Sequence, residues 1–211
     1  MYTIYYMSSP WHQVEEFEKD LCKFTNSPFC VTVDSCTNAI FLSLIYNKQF
    51  NLLKNQKIIV PEQTYISVPM QVKNAGLIPV LKPVKWFGFY LLENTNIIDS
   101  AQKFEKNMYI PDTLQCLSFQ FKKHLPIGRG GAILTDDVNA YMWLLKARHD
   151  GRNMYKEFGK IENINTIGYH CPLLPHEAVK GRELLFNENL TGNNTQGNYN
   201  NYSKINKNLF V

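Results

Sequence analysis

Between Leu117 and Gly131 the chain reads LSFQFKKHLPIGRGG: an apolar run, a serine, two adjacent lysines and a glycine-rich turn, followed by a second apolar run, Ala132–Thr135. A lysine held where a strand meets such a turn offers an amine that can condense with an aldehyde, which is how a protein fixes pyridoxal phosphate. That chemistry also needs hydrogen-bond donors for a phosphate and a carboxylate for a ring nitrogen. Ser35-Cys36-Thr37, ahead of the apolar stretch Ala39–Tyr46, and Asp99, closing Ile97-Ile98, are residues of those types in a workable order.

Each candidate has a plainer reading beside the chemical one. Ser35 and Thr37 open a helix, where hydroxyls cap exposed N–H groups; the same N–H groups, with the helix dipole, can hold a phosphate. Asp99 at a strand end pairs with a protonated pyridine or caps the segment that follows. Tyr65, after Thr64, lays its ring on a planar ligand or joins the core. Lys122 and Lys123 form a solvated turn unless one amine is buried, which lowers its pKa and frees it for imine formation. Glycines mark tight turns everywhere, so Gly128-Arg129-Gly130-Gly131 carries little weight alone.

The elements that position these residues alternate. Trp11–Phe24 spaces Val14, Phe17, Leu21 and Phe24 as an amphipathic helix. Phe29–Val33 reads as a strand leading into the Ser35 turn and its helix. Lys57–Val60, Thr64–Ala75 and Leu77–Leu81 repeat the unit as strand, helix and strand. Asn96–Asp99, Gln115–Phe119 and Ala132–Thr135 bring the strand count to six, and Val138–Arg148 is a further helix. This alternation predicts one α/β domain over residues 1–186, a mostly parallel sheet with helices on both faces. Ligands then belong outside the carboxyl ends of the strands. Residues 187–211 hold nine asparagines without periodicity, so they read as a C-terminal tail that is a surface segment, a partner-binding extension or disordered.

Composition excludes several classes. The formal charge of +4 comes from scattered lysines, not a basic stripe, so nucleic acid is not an expected partner. Five cysteines without a C-x-x-C pair suit free thiols in a reducing compartment, and no metal site is expected. No basic leader and no apolar run near the ~20 residues of a membrane span are present, so a cytoplasmic, membrane-free protein is expected. No P-loop or G-x-G-x-x-G follows a strand, which ranks an ordinary nucleotide-binding domain last.

The order of motifs resembles the DegT-type nucleotide-sugar aminotransferases, fold type I pyridoxal-phosphate enzymes. VEEFEKDL and VTVDSCTNAIFLSL are similar to that family's opening helix and Ser-Gly-Thr phosphate turn, and PEQTYISVPMQVKNAGLIPVL to its P-x-x-T-aromatic segment. IIDSAQ resembles its D-x-A-Q turn, and SFQFKKHLPIGRGG its S-F-x-x-x-K and G-E-G-G run. ARHDGR and GYHCPLLPHEAVKGREL resemble its R-x-x-G turn and G-Y-N-Y-R segment. The resemblance implies Lys123 as the imine-forming lysine with Lys122 as its neighbour, and Asp99 on the pyridine nitrogen. It further implies Gln102 near the ring hydroxyl and Tyr65 stacked on the ring. Ser35, Thr37, Ser118 and the backbone of Cys36 would meet the phosphate. Family members are homodimers in which the asparagine of G-Y-N reaches the neighbour's phosphate, a place held here by His170. The implied reaction moves an amino group from a donor such as glutamate to a nucleotide-linked keto sugar, in cell-surface polysaccharide or antibiotic-sugar synthesis.

The chain also departs from the pattern. Between the strand near Val80 and Asp99 the family has a helix, a further strand and a crossover, where this chain has only Pro83–Thr95. A parallel crossover needs about a dozen residues, so Phe87–Leu92 and Asn96–Asp99 cannot be adjacent parallel strands. Cys36 replaces a glycine, Arg129 a glutamate, and Pro172 matches no arginine. The family's small C-terminal domain would be absent or vestigial, leaving a shortened enzyme or, from a different class, a non-catalytic scaffold that binds cofactor or assembles with partners.

Overall fold

The computed structural model describes residues 9–154, 156, 163–187, 190, 199–205 and 209. Seven strands and five helices follow in the order α1 (His12–Thr25), β1 (Phe29–Val33), α2 (Cys36–Gln49), β2 (Lys57–Pro61), α3 (Ser67–Asn74), β3 (Ile78–Lys82), β4 (Tyr90–Leu92), β5 (Ile97–Asp99), β6 (Leu114–Ser118), β7 (Gly131–Thr135), α4 (Val138–Ala147) and α5 (Pro175–Leu185). The strands and helices expected from the alternation are all present with ends shifted by up to three residues, and β4 and α5 are additions to them.

Five strands form one sheet in the order β1-β7-β6-β5-β4, and β2-β3 form a parallel pair. The bridge Ile59↔Glu93, with backbone bonds in both directions, sets β2 antiparallel beside the end of β4. Pairing within the larger sheet is mixed: only β5/β6 is parallel, while β1/β7, β6/β7 and β4/β5 are antiparallel. Strand direction nevertheless follows the sequence expectation. β7 and β4 each lie reversed between forward neighbours, so β1, β6, β5, β2 and β3 all run the same way.

The reversal at β4 has a covalent cause. Only Glu93–Asn96 separate β4 from β5, too few for a crossover, so the two strands form a hairpin. Asn94 takes the left-handed conformation the turn needs, at φ 74°. Thr95 Oγ1 donates to the Leu92 carbonyl and accepts from Ile97 N–H, tying the turn down.

Period-2 alternation sorts the strands' side chains between two apolar layers. Val31, Val33, Cys116 and Ile133 face α2, α3 and α4, whereas Cys30, Leu117, Ala132 and Leu134 face α1 and α5. A buried ion pair ties these layers together. Arg148, fully buried at the end of α4, donates to Glu18 of α1 and to the Thr32 carbonyl of β1, while Glu18 also accepts from Thr32 N–H at 2.7 Å. The first arginine of ARHDGR thus fastens α1, β1 and α4 together. Removing one partner strands the other charge in an apolar interior, so Arg148→Ala is expected to lower unfolding free energy by about 3–5 kcal/mol. Urea denaturation measures it, and a loss of under about 1 kcal/mol would show the pair to be dispensable.

Candidate functional site

Because five strands share one direction, their carboxyl ends gather on one edge, where ligands of α/β sheets bind. Ser35 follows β1, Tyr65 follows β2, Asp99 ends β5 and Ser118 ends β6. A cavity of about 570 Å³ opens between them. Its walls include Ser35, Cys36, Thr37, Tyr65, Asp99, Gln102, Ser118 and Lys123, together with Arg129 and Tyr199. His170 is elsewhere: its ring is largely exposed and lies 2.9 Å from Asp150.

The α2 end of the cavity is a helix N-terminus. Ser35 caps it by accepting from Asn38 N–H at 3.2 Å and donates its own hydroxyl to Asp34. The capping reading of Ser35 therefore holds, and it leaves the first N–H groups of α2 without intrahelical partners, directed outward as an anion cradle. Thr37 Oγ1 bonds Ser67 Oγ at 2.9 Å, joining the starts of α2 and α3. The glycine run packs beneath. A Cβ on Gly131 would lie 2.5 Å from Cys36 N and 2.6 Å from the Ser35 carbonyl carbon, so only glycine lets β7 pass this close to the turn. Arg129 adds positive charge at the rim, held by Asp34 at 2.6 Å.

Asp99 forms the opposite wall. It is 6% exposed, accepts from Tyr90 O–H at 2.7 Å and Ala101 N–H at 2.9 Å, and Tyr90 is bonded in turn to Thr64 at 2.6 Å. Burial pushes its carboxyl above the ordinary carboxylate range, opposed by the Tyr90 hydrogen bond, the Ala101 N–H and the charge of Lys123. The Tyr90 phenol is raised well above its usual value by burial and then by the Asp99 charge, so it serves as a donor.

Lys123 lies on the loop between β6 and β7. Phe119 N–H donates to the Gly130 carbonyl, Gly128 N–H donates to the Phe119 carbonyl, and Leu125 and Ile127 are buried beneath, so the loop is pinned at both ends. Lys123 N–H donates to the Gln120 carbonyl, and the side chain turns inward, half-buried. The Lys123 side chain is partly and not fully enclosed. Lys122 is exposed, its ammonium 5.5 Å from the Phe121 ring centroid.

Residues 6–87 match the model of the DegT/DnrJ/EryC1/StrS aminotransferase family. That segment is similar to the family over less than half of the chain. It includes Ser35, Cys36, Thr37 and Tyr65, while Asp99, Gln102, Ser118 and Lys123 lie beyond it. No curated protein matches the sequence. Solved structures share the fold: 3-amino-5-hydroxybenzoic acid synthase at TM-score 0.65 and 16% identity, over 82% of this chain and 55% of that one; Helicobacter pylori PseC, an aminotransferase of pseudoaminic acid biosynthesis, at 0.64 and 17%, over 82% and 57%; and the GDP-4-keto-6-deoxymannose-3-dehydratase ColD at 0.64 and 19%, over 82% and 60%. The chain spans a little over half the length of these structures.

Three groups at the site were not read from sequence. Tyr90 is paired across the hairpin with Asp99, and a turn recognised at Glu93–Asn96 would have placed it there. Trp86 donates to the Gln63 carbonyl and lies beside Tyr90. Tyr199, in the asparagine-rich stretch, reaches the cavity from far along the chain. Among the described residues no group of three or more His, Cys, Asp or Glu is placed to hold a metal, and no helix is long and apolar enough to cross a membrane.

The raised carboxyl of Asp99 sets a pH dependence. A group whose folded pKa exceeds its unfolded value destabilises the fold once ionised: the penalty is absent below the unfolded carboxylate's range and develops as pH rises through the folded value. Asp99→Asn removes it. Relative to wild type, the variant without added ligand is expected to gain stability as pH rises from about 4 to about 8. Urea unfolding at the two pH values tests this, and an advantage that is larger in acid would contradict it.

Proposed function

We propose that the chain is a pyridoxal-phosphate-dependent aminotransferase that passes an amino group from an amino acid such as glutamate to a nucleotide-linked keto sugar, working as a cytoplasmic homodimer. The observation that carries the reading is the convergence on one cavity of an amine, a buried carboxylate and a helix N-terminus. These are the three kinds of group the coenzyme requires, and each is held by independent contacts.

The donor set fits the coenzyme. The α2 N–H groups, the hydroxyls of Ser35, Thr37 and Ser118 and the backbone of Cys36 would hold the phosphate, with the Arg129 guanidinium nearby. Tyr65, 56% exposed at the cavity wall, would lie on the ring, and Gln102 would meet the ring hydroxyl. Asp99 would pair with the pyridine nitrogen: a cation opposite it offsets the desolvation that otherwise pushes its carboxyl up. Tyr90 holds that carboxylate and leaves its charge facing the cavity. When bound, pyridoxal phosphate supplies an electron-accepting ring and a carbonyl that can carry an amino group. Lys123 would anchor the coenzyme and move the proton at the reacting carbon, for which its position on a pinned loop suits it. His170, exposed and paired with Asp150, would reach the phosphate of a second copy.

Glutamate added to protein loaded with coenzyme should shift its visible absorbance as the amino group is transferred, and Lys123→Ala should slow this by about 10²–10⁴-fold. Lys122→Ala should leave the rate unchanged. Equal rates in wild type and Lys123→Ala would overturn the proposal.

A further inference from the structure

The stretch 199–205 returns to the body at the same edge as the cavity. Gln63 Nε2 donates to the Tyr199 carbonyl at 3.1 Å, Asn201 pairs antiparallel with Gln63, and Tyr202 N–H donates to the Glu62 carbonyl at 2.8 Å. These bonds extend the end of β2 by one short strap. The strap delivers the Tyr199 ring into the site, 6.1 Å from the Trp86 ring and 27° off parallel, and 6.1 Å from Tyr65.

What the phenol meets there is specific. Its oxygen accepts from Gln102 Nε2 at 2.6 Å and from Lys123 Nζ at 3.0 Å. Two donors, one an amide and one an ammonium, converge on an oxygen carried by a six-membered aromatic ring beside Tyr65. Pyridoxal phosphate carries an oxygen of the same kind, the phenolic hydroxyl next to the carbon that bears its aldehyde. On the proposed function Gln102 and Lys123 are the side chains that flank that hydroxyl.

We infer that Tyr199 is a built-in occupant of the coenzyme ring's place, competing with pyridoxal phosphate for Lys123 and Gln102, so that loading requires the strap to withdraw. The inference rests on the coenzyme reading of the cavity. Among the described residues the strap is held at the sheet edge by the Tyr202 N–H bond to Glu62, the Gln63 side chain and the contacts of the Tyr199 ring itself, the kind of attachment that opens locally without unfolding the domain. A ring closed over the site in nine molecules of ten lowers apparent coenzyme affinity about tenfold, because only the open fraction binds. Occupancy also shields the Lys123 amine from small aldehydes while the coenzyme is absent.

The test uses the full chain as wild type, Tyr199→Phe and Tyr199→Ala. Pyridoxal phosphate is titrated by absorbance. In parallel, coenzyme-free protein is reductively methylated with formaldehyde and the Lys123 peptide is followed by mass spectrometry. Tyr199→Ala is expected to bind the coenzyme about tenfold tighter and to expose Lys123 to faster methylation. Tyr199→Phe, which keeps the ring and loses the oxygen, should fall between. Unchanged affinity and unchanged Lys123 labelling in both variants would overturn the inference and leave the coenzyme reading standing. Weaker binding in both would overturn it by making Tyr199 a coenzyme ligand. Failure of all three proteins to take up the coenzyme would remove the functional reading and this inference together.

Discussion

A carboxylate with 6% of its surface exposed must be held by donors, and the site is organised around how Asp99 is held. Its partners come from the chain segments on either side of it: Tyr90 directly across the hairpin and Ala101 in the turn beyond. The hairpin register therefore fixes the charge, and the parallel pairing of β5 with β6 fixes where that charge lies relative to the loop bearing Lys123. Slipping the β4/β5 register by one residue would turn Tyr90 to the other face and leave Asp99 without its phenol donor. Everything else at the site is placed by the same sheet edge.

Most of the architecture was legible because it is written in short-range patterns. The alternation of buried strands with helical periodicity located β1, α2, β2, β3, β6 and β7, and the three- and four-residue spacing of Val14, Phe17, Leu21 and Phe24 located α1. Strand pairing was not legible. Antiparallel neighbours at β4 and β7 depend on which chain ends meet across the sheet, a long-range property that local pattern does not encode. The length of Pro83–Thr95 did carry one constraint, that no parallel crossover fits, and the hairpin is its physical resolution.

The site was legible to a similar depth. Residues at strand ends, Ser35, Tyr65, Asp99 and Ser118, fall on one cavity because strand direction decides the edge. Lys123 and Gln102 follow from the turns attached to those strands. Tyr90 escaped notice because its role comes from cross-strand pairing, and Tyr199 because nothing in an asparagine-rich stretch signals a return to β2. The first arginine of ARHDGR, Arg148, is a core ion-pair residue, which only its burial reveals.

Family match and shared fold describe what the chain is like, whereas the claim that matters is chemical: one amine in this cavity fixes the coenzyme. The most direct measurement is borohydride reduction of protein incubated with pyridoxal phosphate, followed by peptide mass mapping. The account predicts a single reduced adduct on Lys123, with Lys122 unmodified one residue away. An adduct on Lys122, or label spread over the exposed lysines with Lys123 spared, would contradict it.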